Sequence, residues 1–583
     1  MEENVEKQVR EIEKIIDVEH KSFSLFEDSR GKVILYLLRV FEDMCRMQAP
    51  MVLMTDSPEN MDLLIHNHLD KVDMAISWAY ECCEDIDFEI DYTIDGEFYT
   101  MAGETLEHAG FYRKLCDSYI LWSRDRHDVE IDNENKKVKF NLLGDDNLID
   151  ARGLAYREQS KISETPFDNL EENMENFQQT IQQLVDSISF DDTIQYLENE
   201  EIWSSFEKVS LTQIEKTFKL PEEWSFKQFT IGEFKTFWNV LLTKCLIHHV
   251  ACLRSEVKGA ATESVVLLYN YEELCQLFVS KSDLSKNKIE AIIDFITFDY
   301  EIKNSDVIWQ PIINLKEDIY AISPNIVINS SAERNLITLV NKIEQPSYSR
   351  ISNQKEDIMI SLINDELNDE FSNLQFSFQK DLPSQLPDID MACYDCESNS
   401  LLIGEIKWLI PTDSIPEVCA RDKDLSKGIS QIKDILDYLD GNLKDVLKRL
   451  FGANFDNEIK RVFGLVVSKN NIGSSTLDDS IPIVPEKSLL KLFKEYDGDL
   501  KLVIKKIESR SFLPKWNKDF KILKEEIEYA GFKFVFPTIR LRADNDFAVK
   551  DEEVGRNNPC PCGAINPKSK KRMKYKKCCG RYQ

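Results

Sequence analysis

One string constrains this chain more than any other: Leu401-Leu402-Ile403-Gly404-Glu405-Ile406-Lys407-Trp408. A short run this apolar reads as a buried strand. Alternate residues along a strand share a face, so Glu405 and Lys407 point the same way. Upstream, Leu386-Pro387-Asp388-Ile389-Asp390-Met391 leads into a second short strand, Ile389–Tyr394, with Asp388 and Asp390 on one face. The turn Glu397-Ser398-Asn399 joins the two strands. A short hairpin therefore lays carboxylates and a lysine side by side. Carboxylates clustered beside an apolar strand repel one another and are costly to ionise. A divalent cation with hard oxygen ligands, Mg²⁺ or Mn²⁺, relieves that repulsion. It also turns water into a nucleophile and neutralises charge on a phosphate. A neighbouring lysine orients the attacking water or stabilises developing negative charge. The pattern suits metal-assisted hydrolysis of phosphodiesters.

The flanking periodicities give an element order. Ile358–Phe371 has helical spacing, Leu374–Phe378 alternates as a strand, Leu425–Leu439 is an amphipathic helix, and Val462–Val467 is a buried strand without charge. Helix, three strands, helix, strand, with the acids on the second strand and Glu-x-Lys on the third, resembles the PD-(D/E)XK nuclease superfamily, that of many restriction and repair endonucleases. The resemblance implies a restriction-endonuclease-like αβββαβ core. It makes Asp390 the first metal carboxylate, Glu405 the second, the carbonyl of Ile406 a further metal ligand, and Lys407 the catalytic lysine. Asp388 stays open as an alternative first acid. Gln431, on the following helix, resembles a glutamine that some members use to support the site. Glu366 or Glu370 would supply a further acid from the first helix. A nuclease fold without activity, and a surface strand pair with incidental charges, both remain open at this point.

The C-terminus reads Gly555-Arg556-Asn557-Asn558-Pro559-Cys560-Pro561-Cys562-Gly563 and, further on, Lys574-Tyr575-Lys576-Lys577-Cys578-Cys579-Gly580. Four thiolates match the coordination number of structural zinc. So short a segment buries no core and needs a metal to fold. Cys560, Cys562, Cys578 and Cys579 are the expected Zn²⁺ ligands. Both ends resemble the SEC-C motif, first recognised at the C-terminus of the preprotein translocase ATPase SecA; the middle loop here is longer. That resemblance implies docking to a protein or ribosome partner. Phosphate contact is a second role, because Lys568, Lys570, Lys571, Arg572, Lys574, Lys576, Lys577 and Arg581 lie here with no acid after Glu553. No Walker Gly-x-x-x-x-Gly-Lys-Ser/Thr string occurs, which argues against a translocase motor.

Charge divides the chain. The net charge of −32 over 583 residues looks hostile to nucleic acid. Residues 401–583, however, hold 35 Lys and Arg against 27 Asp and Glu, whereas residues 1–400 hold 37 against 77. A basic C-terminal third can still meet a phosphate backbone, while the acidic runs elsewhere read as solvated faces. Residues 1–200 read as an acidic, mostly helical region, with helices over Val33–Cys45 and Met61–Trp78. Hairpins are expected in Phe88–Met101 around Asp95-Gly96 and in Val129–Phe140 around Asn133. Residues 201–345 read as α+β, with a helix at Ile289–Ile296 and strands at Val307–Ile313 and Ile319–Ile322. Residues 346–543 form the nuclease-like domain, in which Ser511–Arg542 is a helix followed by the strand Phe532–Phe536. Residues 544–583 are a flexible linker and the zinc knob.

No signal peptide is readable, and the apolar stretch Val33–Met54 contains Arg39, Glu42, Asp43 and Arg46 and so does not span a bilayer. The expectation is a cytoplasmic, multidomain α/β protein with no membrane partner, homo-oligomerisation being open. The ten other cysteines read as small buried hydrophobes, His248-His249 as a core pair, and His66-Asn67-His68 as helical positions. The expected function is a Mg²⁺-dependent nuclease acting on DNA or RNA, by analogy in defence against foreign nucleic acid. The rival is a non-catalytic adaptor that docks a partner through the zinc tail.

Overall fold

The computed structural model describes residues 2–541 except 56–57, 143–146, 162–173, 192, 256–261, 369, 384–385, 413, 475–476 and 479. The architecture is mixed α/β, with many helices and, among the described residues, four sheets. The N-terminal region packs helices α1 (Arg30–Thr55), α2 (Pro58–Cys82) and α3 (Gly96–Ser123) against one another. The Asp95-Gly96 pair is not a hairpin turn. Asp95 is the N-cap of α3, its side chain accepting from the N–H groups of Glu97 and Phe98, and residues 84–95 form no strand. Asp followed by Gly is good turn chemistry, but the same short carboxylate satisfies free helix N–H groups, and here the helix wins. The second expected hairpin is present as β1 (His127–Asp132) and β2 (Lys137–Leu142).

Among the described residues one helix is long and apolar enough to cross a membrane: α4 (Ile231–Ser255), not the stretch near residue 40. In this fold 83% of its apolar window is buried inside the protein, with Phe234, Phe237, Trp238 and Leu241 at the centre of the main core. Farther on, the expected strand at 307–313 begins only at Ile312 and runs to Lys316.

Helix α5 (Gln345–Leu367) opens the region that holds the five-stranded sheet, and it starts 13 residues before the periodicity at Ile358. Strands β3 (Leu374–Lys380), β4 (Ile389–Asp395) and β5 (Ser400–Trp408) follow as an antiparallel meander. Helix α6 (Ile415–Phe451) then crosses to β6 (Arg461–Lys469), parallel to β5, and the short β7 (Ile483–Pro485) extends the sheet. The strand order is β7-β6-β5-β4-β3. Strand β5 is central and covered on both faces, which explains its near-continuous apolar sequence.

Parity sorts the side chains. Leu402, Ile406 and Trp408, with Met391 and Cys393, join the core that includes Met359 and Ile363 of α5. Leu401 and Ile403, with Ala392 and Tyr394, pack against Leu425, Ile429 and Ile432 of α6. Glu405 and Lys407 share the parity of the second set, so they belong to the α6 face. Helix α6 is held close by Gly464 of β6: a Cβ there would lie 2.5 Å from Ile432 Cγ2.

The final hairpin departs from expectation. Residues 520–541 contain no helix but two long antiparallel strands, β8 (Phe520–Tyr529) and β9 (Phe532–Leu541). Ala530 and Gly531 both take positive φ (50° and 74°), the tight two-residue connection that matches strand twist. Strand β9 pairs in parallel with β2, giving the order β1-β2-β9-β8. The hairpin thus completes a sheet begun in the N-terminal region and is not part of the five-stranded sheet.

Candidate active site

Pairing between β4 and β5 runs as far as Gly404 opposite Met391 and stops there. The next residues in register are Glu405 and Asp390. In place of a backbone carbonyl, the Asp390 carboxylate accepts the Ile406 N–H at 2.7 Å. The N–H and C=O of one strand residue point to the same side, so the Ile406 carbonyl is directed toward Asp390 as well. Glu405 is 2% exposed. Its Oε1 accepts from Lys407 Nζ at 2.5 Å, and its Oε2 is buried with no hydrogen-bond partner among the described residues. Lys407 Nζ also lies 3.7 Å from Glu356 Oε1 of α5. The lysine stem runs past Gly428 of α6, where an added Cβ would sit 3.5 Å from Lys407 Cε. The sheet and both flanking helices therefore meet at this point.

Electrostatics follow from the crowding. Burial raises Asp390 to about 6, opposed by the Ile406 N–H and by Lys407. Burial and then the neighbouring Asp390 raise Glu405 to about 7, with Lys407 opposing. Burial works against the charge on Lys407, but Glu405 and Glu356 outweigh it and hold the ammonium above its ordinary value. Two carboxylates that resist joint ionisation, one with an unpartnered buried oxygen, are short of positive charge.

Asp390, Glu405 and the Ile406 carbonyl fit a hard divalent cation on the grounds of donor chemistry and the orphaned Glu405 Oε2. Among the described residues no group of three or more His, Cys, Asp or Glu side chains forms a ready-made metal cage. That is no obstacle for Mg²⁺, which is usually held by one or two carboxylates together with water and substrate phosphates.

The other predicted positions divide. Asp388 is exposed and lies just before β4, where its charge acts on Asp390. Gln431 sits about one turn past Gly428 on α6, with Oε1 buried and without a hydrogen-bond partner among the described residues. Glu366 is on the surface in an ion pair with Lys494, and Glu370 lies beyond the end of α5. The acid that α5 brings to the site is instead Glu356. Sequence reasoning missed it because the helix was begun at Ile358; carrying the helix back to Gln345 would have exposed the signal. Cys560, Cys562, Cys578 and Cys579 lie outside the described residues. His248 bonds to Tyr196 Oη and to the Ser264 carbonyl as a satisfied core group. A separate cavity of about 840 Å³, lined in part by Arg157, Arg334, Lys469 and Lys487, does not include Asp390, Glu405 or Lys407. Compared with known proteins, this chain matches no family profile, no curated protein and no solved structure.

Proposed function

We propose that this chain is a metal-dependent nuclease that hydrolyses phosphodiester bonds of DNA or RNA. The observation that carries the reading is the juxtaposition in register of Asp390 with an almost fully buried Glu405 whose Oε2 has no partner among the described residues and whose Oε1 holds Lys407. The αβββαβ order around these residues supports the PD-(D/E)XK resemblance. Asp390, Glu405 and the Ile406 carbonyl would hold Mg²⁺ or Mn²⁺. When bound, that cation supplies a more acidic water and neutralises charge at the phosphate.

The chain's own groups do the rest. Asp390 is fixed by the Ile406 N–H, so its second oxygen has a defined direction without further ordering. Glu405 and Lys407 are immobilised between the sheet and α6, and the surrounding apolar residues exclude water and strengthen every charge interaction. Lys407 carries three donors. One is spent on Glu405, which leaves others to hold a water or a phosphate oxygen as negative charge develops.

The test is incubation of purified protein with plasmid, linear DNA and RNA in Mg²⁺, Mn²⁺ or EDTA, alongside Glu405→Ala and Lys407→Ala. Cleavage should require the cation and fall by about 10²-fold or more in either variant. Full activity in Glu405→Ala would overturn the mechanism.

A further inference from the structure

The cavity of about 840 Å³ lies where three parts of the chain meet. Its wall takes Leu154 and Arg157 from the helix Asn147–Lys161, Trp238 from α4, and Lys469 and Asn471 from the end of β6 and the loop after it. Small-molecule sites fall in the range of roughly 300–1,000 Å³. The loop is held in one shape. Asn471 Oδ1 accepts the Gly473 N–H at 2.8 Å, the Ser474 N–H donates to Asp422 of α6 at 2.9 Å, and Asn470 and Gly473 take positive φ (68° and 88°). The loop also touches the helix Asn147–Lys161: a Cβ on Gly153 would lie 3.7 Å from Ile472 Cδ1. Arg157 is one turn past Gly153 on the same face of that helix.

The groups on this wall that lack partners are donors. Asn471 is 4% exposed. Its Oδ1 is turned back onto Gly473, which directs Nδ2 away from the loop backbone, and that nitrogen is buried with no hydrogen-bond partner among the described residues. Arg157 gives Nη2 to Glu158 at 2.7 Å, while its Nε and Nη1 are buried without a partner among the described residues. Lys469 Nζ sits 3.6 Å from the centre of the Trp408 ring, a contact that uses its charge but leaves its donors. Two helices also begin here. Ser330, Ser331 and Ala332 line the cavity at the start of the helix Ala332–Ile343, and Pro485, Glu486 and Lys487 at the start of the helix Glu486–Glu495. The Ser331 side chain caps the Arg334 N–H alone, and Pro485 supplies no side-chain cap, so both ends keep uncapped first-turn N–H groups and partial positive charge. The wall also holds acids. Glu333 accepts the Lys219 N–H at 2.6 Å, Glu366 pairs with Lys494, and the charges of Asp70 and Glu486 act on Arg157 and Lys469. They offset part of the positive charge but leave the Asn471 and Arg157 nitrogens unbonded. Spare donors, two helix N-termini and apolar side chains on one wall suit a phosphate group carried on an apolar body.

We propose that this cavity binds a mononucleotide, with its phosphate held by Lys469, Asn471 and Arg157 and its body on the apolar part of the wall. The site is apart from Asp390, Glu405 and Lys407 and does not rest on the nuclease reading.

The experiment is calorimetric titration of the full chain in EDTA with adenosine 5′-monophosphate, and separately with inorganic phosphate and with adenosine, the two halves of that probe. The monophosphate should bind once per chain and about tenfold or more tighter than either half. Asn471→Asp keeps the acceptor for Gly473 and puts negative charge where Nδ2 stood. Lys469→Met keeps the stem over Trp408 and removes the ammonium. Each should weaken the monophosphate by about tenfold or more. Glu405→Ala should bind it as the wild type does. Thermal melts without ligand identify the folded variants, and either of the first two suffices for the decision. No saturable binding of monophosphate or phosphate, or wild-type affinity in a folded Asn471→Asp or Lys469→Met, would overturn the site. Adenosine binding as tightly as its monophosphate would overturn the phosphate contact, and inorganic phosphate binding as tightly would overturn the nucleotide body. Loss of binding in Glu405→Ala would move the phosphate to the carboxylate–lysine site and overturn the cavity assignment. Monophosphate binding that needs Lys469, in a protein that cleaves nothing in Mg²⁺, would remove the nuclease reading and leave this site standing.

Discussion

Cation uptake at the carboxylate pair should release protons, in an amount the electrostatics fix. With the two carboxylates raised to about 6 and about 7, the pair at pH 6.5 shares about one proton. A cation requires both groups ionised, so binding at pH 6.5 should expel about one proton, and binding at pH 8 only about a tenth of one. By the same arithmetic the apparent affinity should weaken about fivefold from pH 8 to 6.5 and about a hundredfold by pH 5.5. Calorimetric titration of Mn²⁺ in two buffers of different ionisation enthalpy reads the proton count directly.

Glu405→Gln is the control, and it should abolish most of the release along with the binding heat. It should also change stability in a predictable direction. Glu405 is raised from 4.5 to about 7 on folding, so the metal-free wild type keeps its full stability below about pH 4.5 and loses part of it as pH rises through 7. The loss amounts to about 3 kcal/mol above pH 7, and Glu405→Gln should not show it. Equal proton release in wild type and Glu405→Gln, or none in either at pH 6.5, would refute the assignment of this pair as the cation site.

Two further outcomes concern other parts of the chain. Gly464→Ala places a methyl 2.5 Å from Ile432 Cγ2 and should cost about 1–3 kcal/mol in urea unfolding, lowering cleavage as α6 is pushed from the sheet; unchanged stability would mean that the helix does not bear on β6 at this point. Protein purified without chelator should contain one zinc per chain, and Cys578→Ser should lose it, by elemental analysis; zinc-free protein with four freely reactive thiols would remove the zinc knob.

The five-stranded sheet was largely legible because its signals are local. Strands β4 and β5 announce themselves by alternation and by a turn ending at Asn399, which takes positive φ. Alternation alone also put Glu405 and Lys407 on one face. What stayed hidden depends on partners distant in sequence. The string Phe520–Tyr529 mixes Lys, Glu and apolar residues in a way that fits a helix, and only its pairing with Phe532–Leu541, itself paired with β2, makes it a strand. Asp95 shows the opposite failure, a local signal with two valid readings that neighbouring packing decides. Glu356 was missed for a third reason: the first turns of α5 lack apolar periodicity, so the helix began too late.

The final hairpin changes how the tail must be considered. Strand β9 ends at Leu541 and is paired with β2 through Lys533–Val535, within the sheet begun in the N-terminal region. The acidic N-terminal region and the final hairpin are therefore joined through one sheet, although they are far apart in sequence. Lys137–Glu526 and Lys114–Glu525 tie β8 to β2 and to α3 across that junction. These are exposed pairs worth little individually. The apolar layer beneath them, Val138, Phe140, Phe534 and Phe536, is what holds the hairpin in place. A truncation that removes residues 520–583 to dispense with the zinc tail would thus strip two strands from this sheet and expose that layer, whereas a cut after Leu541 would leave it covered.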